Sequence, residues 1–173
     1  RTFPVNGRFS DEQRALYEIV LAAEEAAIEA AAPGLAYDRI HEIALDVIVD
    51  GLLELGLLTG TREEVIDAGS YRAFFMHKTS HFLGLAVHDC GRYVTADGDP
   101  RPLEPGMVFT VEPGIYVDPE NMDVDERWRG IGIRIEDDIL VTETGHEVLT
   151  IAAPKSVEDV EAMCAGRVAQ ESH

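Results

Sequence analysis

Met107-Val-Phe-Thr-Val-Glu-Pro-Gly-Ile-Tyr116 and Gly130-Ile-Gly-Ile-Arg-Ile-Glu-Asp-Asp138 are the two segments that decide the fold of this chain. Both alternate apolar and polar residues with a period of two, which is typical of β-strands. The residues predicted to share a buried face are Phe109, Val111, Ile115, Ile131, Ile133 and Ile135. The residues on the opposite face are Thr110, Glu112, Gly132, Arg134 and Glu136. A strand face that carries Arg and Glu between isoleucines is not an ordinary solvated face.

The composition indicates one domain and excludes some partners. A chain of 173 residues with 46% apolar and 27% charged residues has enough material for a single core. Its net charge of −19 argues against binding to nucleic acid or to an anionic membrane, since both need a basic surface. We also expect no membrane span, because no apolar run is long enough. Cys90 and Cys164 form no disulfide framework, which favours a reducing compartment and predicts a cytoplasmic protein.

The order of elements predicts an α+β fold, with helices first and strands later. Capping-box patterns begin helices after Ser10 and Thr61, and Pro33-Gly34 ends the first helix. The other predicted elements are a strand end and turn within Arg1–Phe9, a helix over Asp38–Leu55, strand and loop from Phe74, a strand over Glu147–Ile151 and a helix over Ser156–Cys164. The helices are interpreted as packing elements that cover a sheet.

A histidine-rich segment precedes the paired strands and suggests a metal site. Residues 77–89 contain three of the six histidines, and Glu112 and Glu136 follow on strands. Imidazole and carboxylate ligands without a thiolate suit Mn, Fe, Co or Zn, and two bridging carboxylates suit a two-metal centre. Arg134 is placed to hold a carboxylate. The alternative is that Arg134 and Glu136 form a salt bridge on a solvated face.

Other catalytic motifs do not fit. His88, Asp89 and Cys90 are contiguous, whereas the members of a catalytic triad meet through the fold. Gly130-Ile131-Gly132 lacks the third glycine and the following helix of a dinucleotide loop, and the sequence has no Walker A motif.

Four long motifs, in this order along the chain, resemble the Xaa-Pro aminopeptidase (aminopeptidase P) family of pita-bread metallopeptidases. They are Arg1-Thr-Phe-Pro-Val-Asn-Gly7, His77-x-x-Ser-His81-Phe-Leu-Gly-Leu-x-Val-His88-Asp89, Leu103-Glu-Pro-Gly-Met-Val-Phe-Thr-Val-Glu112-Pro-Gly-Ile-Tyr116 and Arg129-Gly-Ile-Gly-Ile-Arg134-Ile-Glu136-Asp-Asp138. The resemblance implies helices packed on a mostly antiparallel curved sheet. It also implies release of an N-terminal residue from a peptide whose second residue is proline.

The resemblance also implies roles for particular residues. The family holds two divalent ions, with Mn expected and Co or Zn as alternatives, by two Asp, one His and two Glu. His81, Glu112 and Glu136 match three of these five ligands, and Glu112 also matches the residue that serves the attacking water. The residues that match positions near the substrate are His77, His88, Tyr116 and Arg134, with His88 also catalytic.

Two departures from the family pattern matter. The two Asp ligands of the family precede the motif that begins at Arg1, so we expect residues 1–173 to represent the C-terminal part of the catalytic domain. We therefore expect this chain alone to be incomplete. Lys78 lies where the family has Gly, and Ala86 lies where it has Asp, so a change in metal binding or specificity is expected.

Two alternatives remain open. One is a prolidase that cleaves Xaa-Pro dipeptides, although Ser80 before His81-Phe-Leu-Gly favours aminopeptidase P. The other is a non-catalytic pita-bread module that binds peptides or proteins. Half of a pseudo-symmetric sheet would expose an unpaired edge, so we also expect a homo-oligomer.

Overall fold

The computed structural model describes residues 1–166, so the last seven residues of the predicted domain lie outside it. The elements, in chain order, are helices α1 (Asp11–Ala30), α2 (Asp38–Glu54) and α3 (Arg62–Ala68), strands β1 (Val108–Val111), β2 (Gly114–Tyr116), β3 (Gly132–Arg134), β4 (Asp137–Val141) and β5 (His146–Val148), and helix α4 (Val157–Cys164). Short 3₁₀ helices cover Ser70–Ala73 and Glu126–Trp128. Helices followed by antiparallel strands give the α+β fold expected from the sequence.

Local signals place the helices where the sequence predicts them. The Ser10 hydroxyl accepts from the Gln13 amide, the Gln13 side chain accepts from the Ser10 amide, and Thr61 and Glu64 repeat this capping box at α3. The apolar face of α1 consists of residues that are buried in the core, among them Leu16, Val20, Ala23 and Ala27. None of the helices described within residues 1–166 is long and apolar enough to cross a bilayer.

The strands of the two small antiparallel sheets are paired with the same register. The first has the order β1-β4-β5, and the second pairs β2 with β3. Val111 pairs with Asp137 at the end of the β1/β4 ladder, and Gly114 pairs with Arg134 where the β2/β3 ladder begins. The Ile135 amide reaches the Pro113 carbonyl at 3.4 Å between the two ladders. The two sheets are therefore one long two-stranded ribbon that is interrupted at residues 112–113 and 135–136.

The core lies between this ribbon and the first two helices. Helix α1 packs against α2 and also contacts β1, β2 and β3. The core residues with no exposed surface include Leu16, Val20, Ile40, Ile48, Leu52, Phe109, Val111, Ile115, Ile135 and Ile139. These residues include most of the predicted apolar face of the ribbon, which α1 covers.

Three details differ from the sequence prediction. Residues 1–4 form no strand, and the Thr2 hydroxyl bonds to the Arg134 carbonyl and amide. The turn that follows does form, with Gly7 at φ +81°. Strand β5 ends at Val148, not at Ile151, because the Thr150 side chain turns to bond Asp137 and the Asp138 amide. Residues 74–106 form no strand in the described chain beyond isolated bridges.

Candidate metal centre

The break in the ribbon brings two carboxylates face to face. Continuing the β1/β4 pairing one residue beyond Val111 and Asp137 places Glu112 opposite Glu136, and the β2/β3 pairing leads to the same result. Residues directly opposite on antiparallel strands have Cβ atoms about 4.5–5.5 Å apart, and like charges there are destabilising. Pro113 follows Glu112 and has no amide hydrogen to continue the ladder. A pair of like charges in such a position indicates a cation-binding role.

The histidine-rich segment runs beside β1 and delivers His81 to this pair. The Glu112 amide donates to the Thr79 carbonyl at 2.7 Å, and the Thr110 amide donates to the His81 carbonyl at 3.0 Å. Residues 79–83 therefore lie antiparallel to β1. His81 Nε2 is 3.2 Å from Glu112 Oε1, while His81 Nδ1 lies 3.1 Å from the Phe82 carbonyl. A proton on Nδ1 leaves Nε2 of the neutral ring available as a ligand.

His81, Glu112 and Glu136 each offer a ligand atom, and these atoms all lie within 4.8 Å of one another. The set contains one nitrogen and carboxylate oxygens, with no thiolate, which suits Mn, Co or Zn and disfavours a structural thiolate-zinc site. All three groups are only partly accessible, and Glu112 is 9% exposed. The residues present fit a divalent metal centre.

Positively charged and hydroxyl groups hold Glu112 in place. Arg134 Nη1 is 3.2 Å from Glu112 Oε2, and Thr110 Oγ1 donates to Glu112 Oε1 at 3.1 Å. Arg134 therefore contacts Glu112 and not Glu136. The alternative of an Arg134–Glu136 salt bridge on a solvated face is wrong, since no such pair forms within residues 1–166 and Glu112 is buried.

A second group of predicted residues lies next to Arg134. The Tyr116 hydroxyl accepts from Arg134 Nε at 2.7 Å and lies 3.0 Å from His77 Nε2. His77 Nδ1 is 2.8 Å from the Lys78 carbonyl. These contacts connect His77, Tyr116, Arg134 and Glu112 in one hydrogen-bonded chain.

His88 lies apart from that chain, on the outer side of His81. The two imidazole rings are 4.4 Å apart and meet edge to face. His88 is exposed, and its loop carries the exposed Leu85 and Val87. The structure therefore places all seven predicted site residues near one another, with His77 and His88 at the periphery.

Burial and like charges alter the ionisation of groups around the centre. Burial raises the pKa of Glu136, and the charges of Glu112 and Asp138 raise it further. Burial lowers the pKa of His77, and the Arg134 charge adds to this effect, although the Lys78 carbonyl and Glu112 oppose it. An extra positive charge near Glu136 would relieve the repulsion that raises its pKa.

Sequence reasoning missed two residues here. Thr110 bonds both Glu112 and the His81 amide, which it reaches at 3.1 Å. Its position two residues before Glu112 on the same strand face was the available signal. His41 on α2 contacts Thr79 at 2.9 Å, and burial, with help from Lys78, lowers its pKa to about 4. His41 is neutral at physiological pH.

A cleft lies beside the carboxylates and not on them. It has a volume of about 470 Å³ and is bordered by residues of α2, the histidine-rich segment and the following loop. Tyr37 and Tyr93 form an apolar wall at one side, and Lys78 lies at its edge. A cleft of this kind suits the apolar part of a ligand whose polar group lies at the carboxylates.

Comparison with known proteins agrees with this geometry. The sequence profile of metallopeptidase family M24 matches residues 1–143. The Xaa-Pro aminopeptidase of Haemophilus influenzae is 48% identical over 161 residues, which are 93% of this chain and 37% of that protein. The Xaa-Pro aminopeptidase of Escherichia coli is also 48% identical, over 94% of this chain and 36% of that protein. The chain thus spans a little over a third of these relatives.

Solved structures give the same result. Aminopeptidase PepP of Pseudomonas aeruginosa superposes with a TM-score of 0.94 and 53% identity, over 96% of this chain and 38% of that one. A variant of Escherichia coli aminopeptidase P in complex with substrate superposes with a TM-score of 0.90 and 47% identity, over 96% and 37% of the two chains. The fold is therefore the predicted pita-bread fold, present as a partial segment, and the chain belongs to metallopeptidase family M24.

Proposed function

We propose that the chain contributes a metal centre to an Xaa-Pro aminopeptidase, which removes the N-terminal residue from peptides with proline in second position. The observation that carries the proposal is the placement of Glu112 opposite Glu136 in the break of the ribbon, with His81 Nε2 3.2 Å from Glu112. Two like charges in register are unfavourable without a cation between them. The names of the relatives support the reaction class.

His81, Glu112 and Glu136 would hold divalent metal, with manganese as the proposed ion. Metal bound there would supply Lewis-acid chemistry and lower the pKa of water. The Glu112 carboxylate accepts a proton from the attacking water. Arg134 and Thr110 orient that carboxylate, because each bonds a different oxygen of it. Their contacts limit the rotation of Glu112 and so fix the direction in which it accepts the proton.

The peripheral histidines are proposed to bind the peptide. His88 is exposed beside His81, so it can donate to the substrate carbonyl and stabilise the developing oxyanion. His77 is oriented by the Tyr116 hydroxyl and the Lys78 carbonyl, which fixes its ring at the edge of the site. The cleft lined by Tyr37 and Tyr93 provides apolar surface for the proline side of the substrate.

The test is cleavage of Xaa-Pro-Yaa, Xaa-Pro and Xaa-Ala-Yaa peptides with added Mn²⁺, by a protein in which residues 1–173 are joined to a segment that supplies the two Asp ligands expected from the family pattern. The proposal predicts cleavage of Xaa-Pro-Yaa before proline, and a loss of at least about 100-fold in kcat in Glu112→Gln. Glu120→Gln is the matched control, because Glu120 is exposed on the loop after β2. Cleavage that survives Glu112→Gln unchanged would refute the role of Glu112.

The same assay separates the other candidates. Preference for the dipeptide Xaa-Pro would identify a prolidase. Peptide binding without cleavage at saturating Mn²⁺, by the protein that also carries the two expected Asp ligands, would identify a non-catalytic binding module. Assembly with a second copy is a separate proposal, supported by the fully exposed Val5 and Leu85 side chains and tested by light scattering. A monomer at high concentration would contradict it.

A further inference from the structure

A cluster of ionisable side chains lies under the sheet, on the side of β4 that faces away from the candidate metal centre. Its members are Arg1, Glu24, Asp137 and Lys155. Lys155 Nζ donates to Glu24 Oε2 and to Asp137 Oδ2, each at 2.8 Å. Glu24 has no exposed surface, and Asp137 is 1% exposed. Because side chains alternate along a strand, Asp137 points under the sheet while Glu136 points to the metal side.

Arg1 and Thr150 complete the contacts of Asp137. Arg1 Nη2 donates to Asp137 Oδ1 at 2.5 Å, and the Thr150 hydroxyl donates to the same oxygen at 2.6 Å. Arg1 Nη1 also donates to the main-chain carbonyl of Glu136. The cluster therefore holds both the side chain of Asp137 and the backbone of Glu136.

Stability alone does not explain this cluster. Replacing a buried ion pair by apolar residues is often neutral or stabilising, and the neighbours of Asp137 on the buried face are the apolar Val111 and Ile139. Glu24 Oε1 is buried and has no hydrogen-bond partner in the described part of the chain.

The cluster lies directly next to the proposed metal ligands along the ribbon. Asp137 pairs with Val111 across the ribbon, and the next residues toward the break are Glu136 and Glu112. Within residues 1–166, the interrupted ribbon has no ladder hydrogen bond next to Glu136 apart from the long Ile135–Pro113 contact of 3.4 Å. The contacts of Asp137 with the cluster hold this part of β4 in place from the buried side of the sheet.

We propose that Lys155, held by Glu24, is a positioning residue for the metal centre. By anchoring Asp137 it fixes the backbone at Glu136, and so it sets the distance between the Glu136 and Glu112 carboxylates. This inference rests on the metal role proposed for Glu136 and adds residues from α1 and the segment before α4, which contact no ligand atom themselves.

The first test is Mn²⁺ affinity by calorimetry, at a temperature where every variant is folded. Lys155→Met is expected to weaken binding about 10-fold or more, as the loss of outer-shell support of a metal ligand does. Glu24→Gln keeps the shape and an oxygen for Lys155 and is expected to bind within about 3-fold of the wild type. Arg62→Met is the matched control, because it removes a cation from the exposed Arg62–Asp50 pair, which shares no residue with the cluster.

A double variant separates positioning from stability. The double variant Glu24→Leu/Lys155→Met replaces both partners by apolar groups. Its melting temperature is therefore expected to be higher than that of Lys155→Met alone. Its Mn²⁺ affinity is expected to remain low, because Asp137 still lacks Lys155. Recovery of affinity together with stability would mean that the cluster acts only on stability, and would overturn the proposal. Wild-type affinity in Lys155→Met would overturn it too.

Amide hydrogen exchange gives a readout that needs no metal. The Asp138 amide donates to the Thr150 hydroxyl at 3.0 Å, so it reports on the anchored segment. Exchange of Ile135 and Asp138 is expected to rise about 10-fold in Lys155→Met and in the double variant, relative to β5 amides. Unchanged exchange would overturn the proposal. If a protein that also carries the two expected Asp ligands binds no Mn²⁺, the proposed function is refuted, and amide exchange then decides the positioning role.

Discussion

Glu24→Gln should abolish a pH dependence of stability that the buried carboxyl creates. Burial, together with the nearby Asp137 carboxylate, raises the pKa of Glu24 from 4.5 to about 8, against the opposing effect of Lys155. In the unfolded chain the carboxyl loses its proton near the ordinary value. The folded protein therefore gains stability below that value, and this stability is lost as the pH rises through about 8.

The size of the effect follows from the two pKa values. The difference between about 8 and 4.5 corresponds to a loss of about 5 kcal/mol in the free energy of unfolding over the full range. Glu24 has no exposed surface, so solvent does not screen this effect. A glutamine has the shape of the protonated acid and does not titrate. The variant should match the wild type at low pH and exceed it at high pH.

Urea unfolding at about pH 5, 7 and 9 measures the difference between the two proteins. Because both share every other titrating group, their difference isolates Glu24. We expect the variant's advantage to grow with pH, with most of the change between pH 5 and 8. Parallel pH curves for the two proteins would refute the inference that Glu24 is protonated in the fold.

Three further changes have expected outcomes. Glu136→Gln should stabilise the metal-free protein by about 0.5 kcal/mol in thermal unfolding, because it removes a like charge opposite Glu112; destabilisation would contradict the repulsion. Lys78→Ala should raise the pKa of His41 above about 4 in an NMR titration, since the Lys78 charge lowers it. An unchanged pKa of His41 would mean that Lys78 is too far from the imidazole to affect it. Ser10→Ala should cost about 1 kcal/mol in urea unfolding through loss of the α1 cap, and no loss would mean that the cap is redundant.

The helices could be predicted from the sequence because their signals are local. Ser10 and Thr61 each lie three residues before the side chain that completes the capping box, so both helix starts are readable without the fold. The predicted faces of the ribbon also agree with the structure, since alternation along a strand fixes them. Strand ends were less predictable, because Thr150 ends β5 through a contact with the distant Asp137.

The central features of the site depend on pairing across the fold. That Glu112 lies opposite Glu136 follows from the register of β1 and β4, which no local pattern specifies. Glu24 lies on the buried stripe of α1, four residues after Val20, but its partner Lys155 is 131 residues away and no local pattern predicts that contact. The resemblance to aminopeptidase P singled out His81, Glu112 and Glu136 as ligands, and that role remains a proposal.

Manganese titration of the wild type and of His81→Ala tests whether His81, Glu112 and Glu136 bind a metal ion together. His81 Nε2 lies 3.2 Å from Glu112, and no other nitrogen ligand joins the three-residue set in the described chain. We predict that the wild type binds Mn²⁺ with measurable heat, and that His81→Ala loses about 10-fold or more in affinity while Glu120→Gln does not. Equal affinity in the wild type and in His81→Ala would mean that His81 is not a metal ligand.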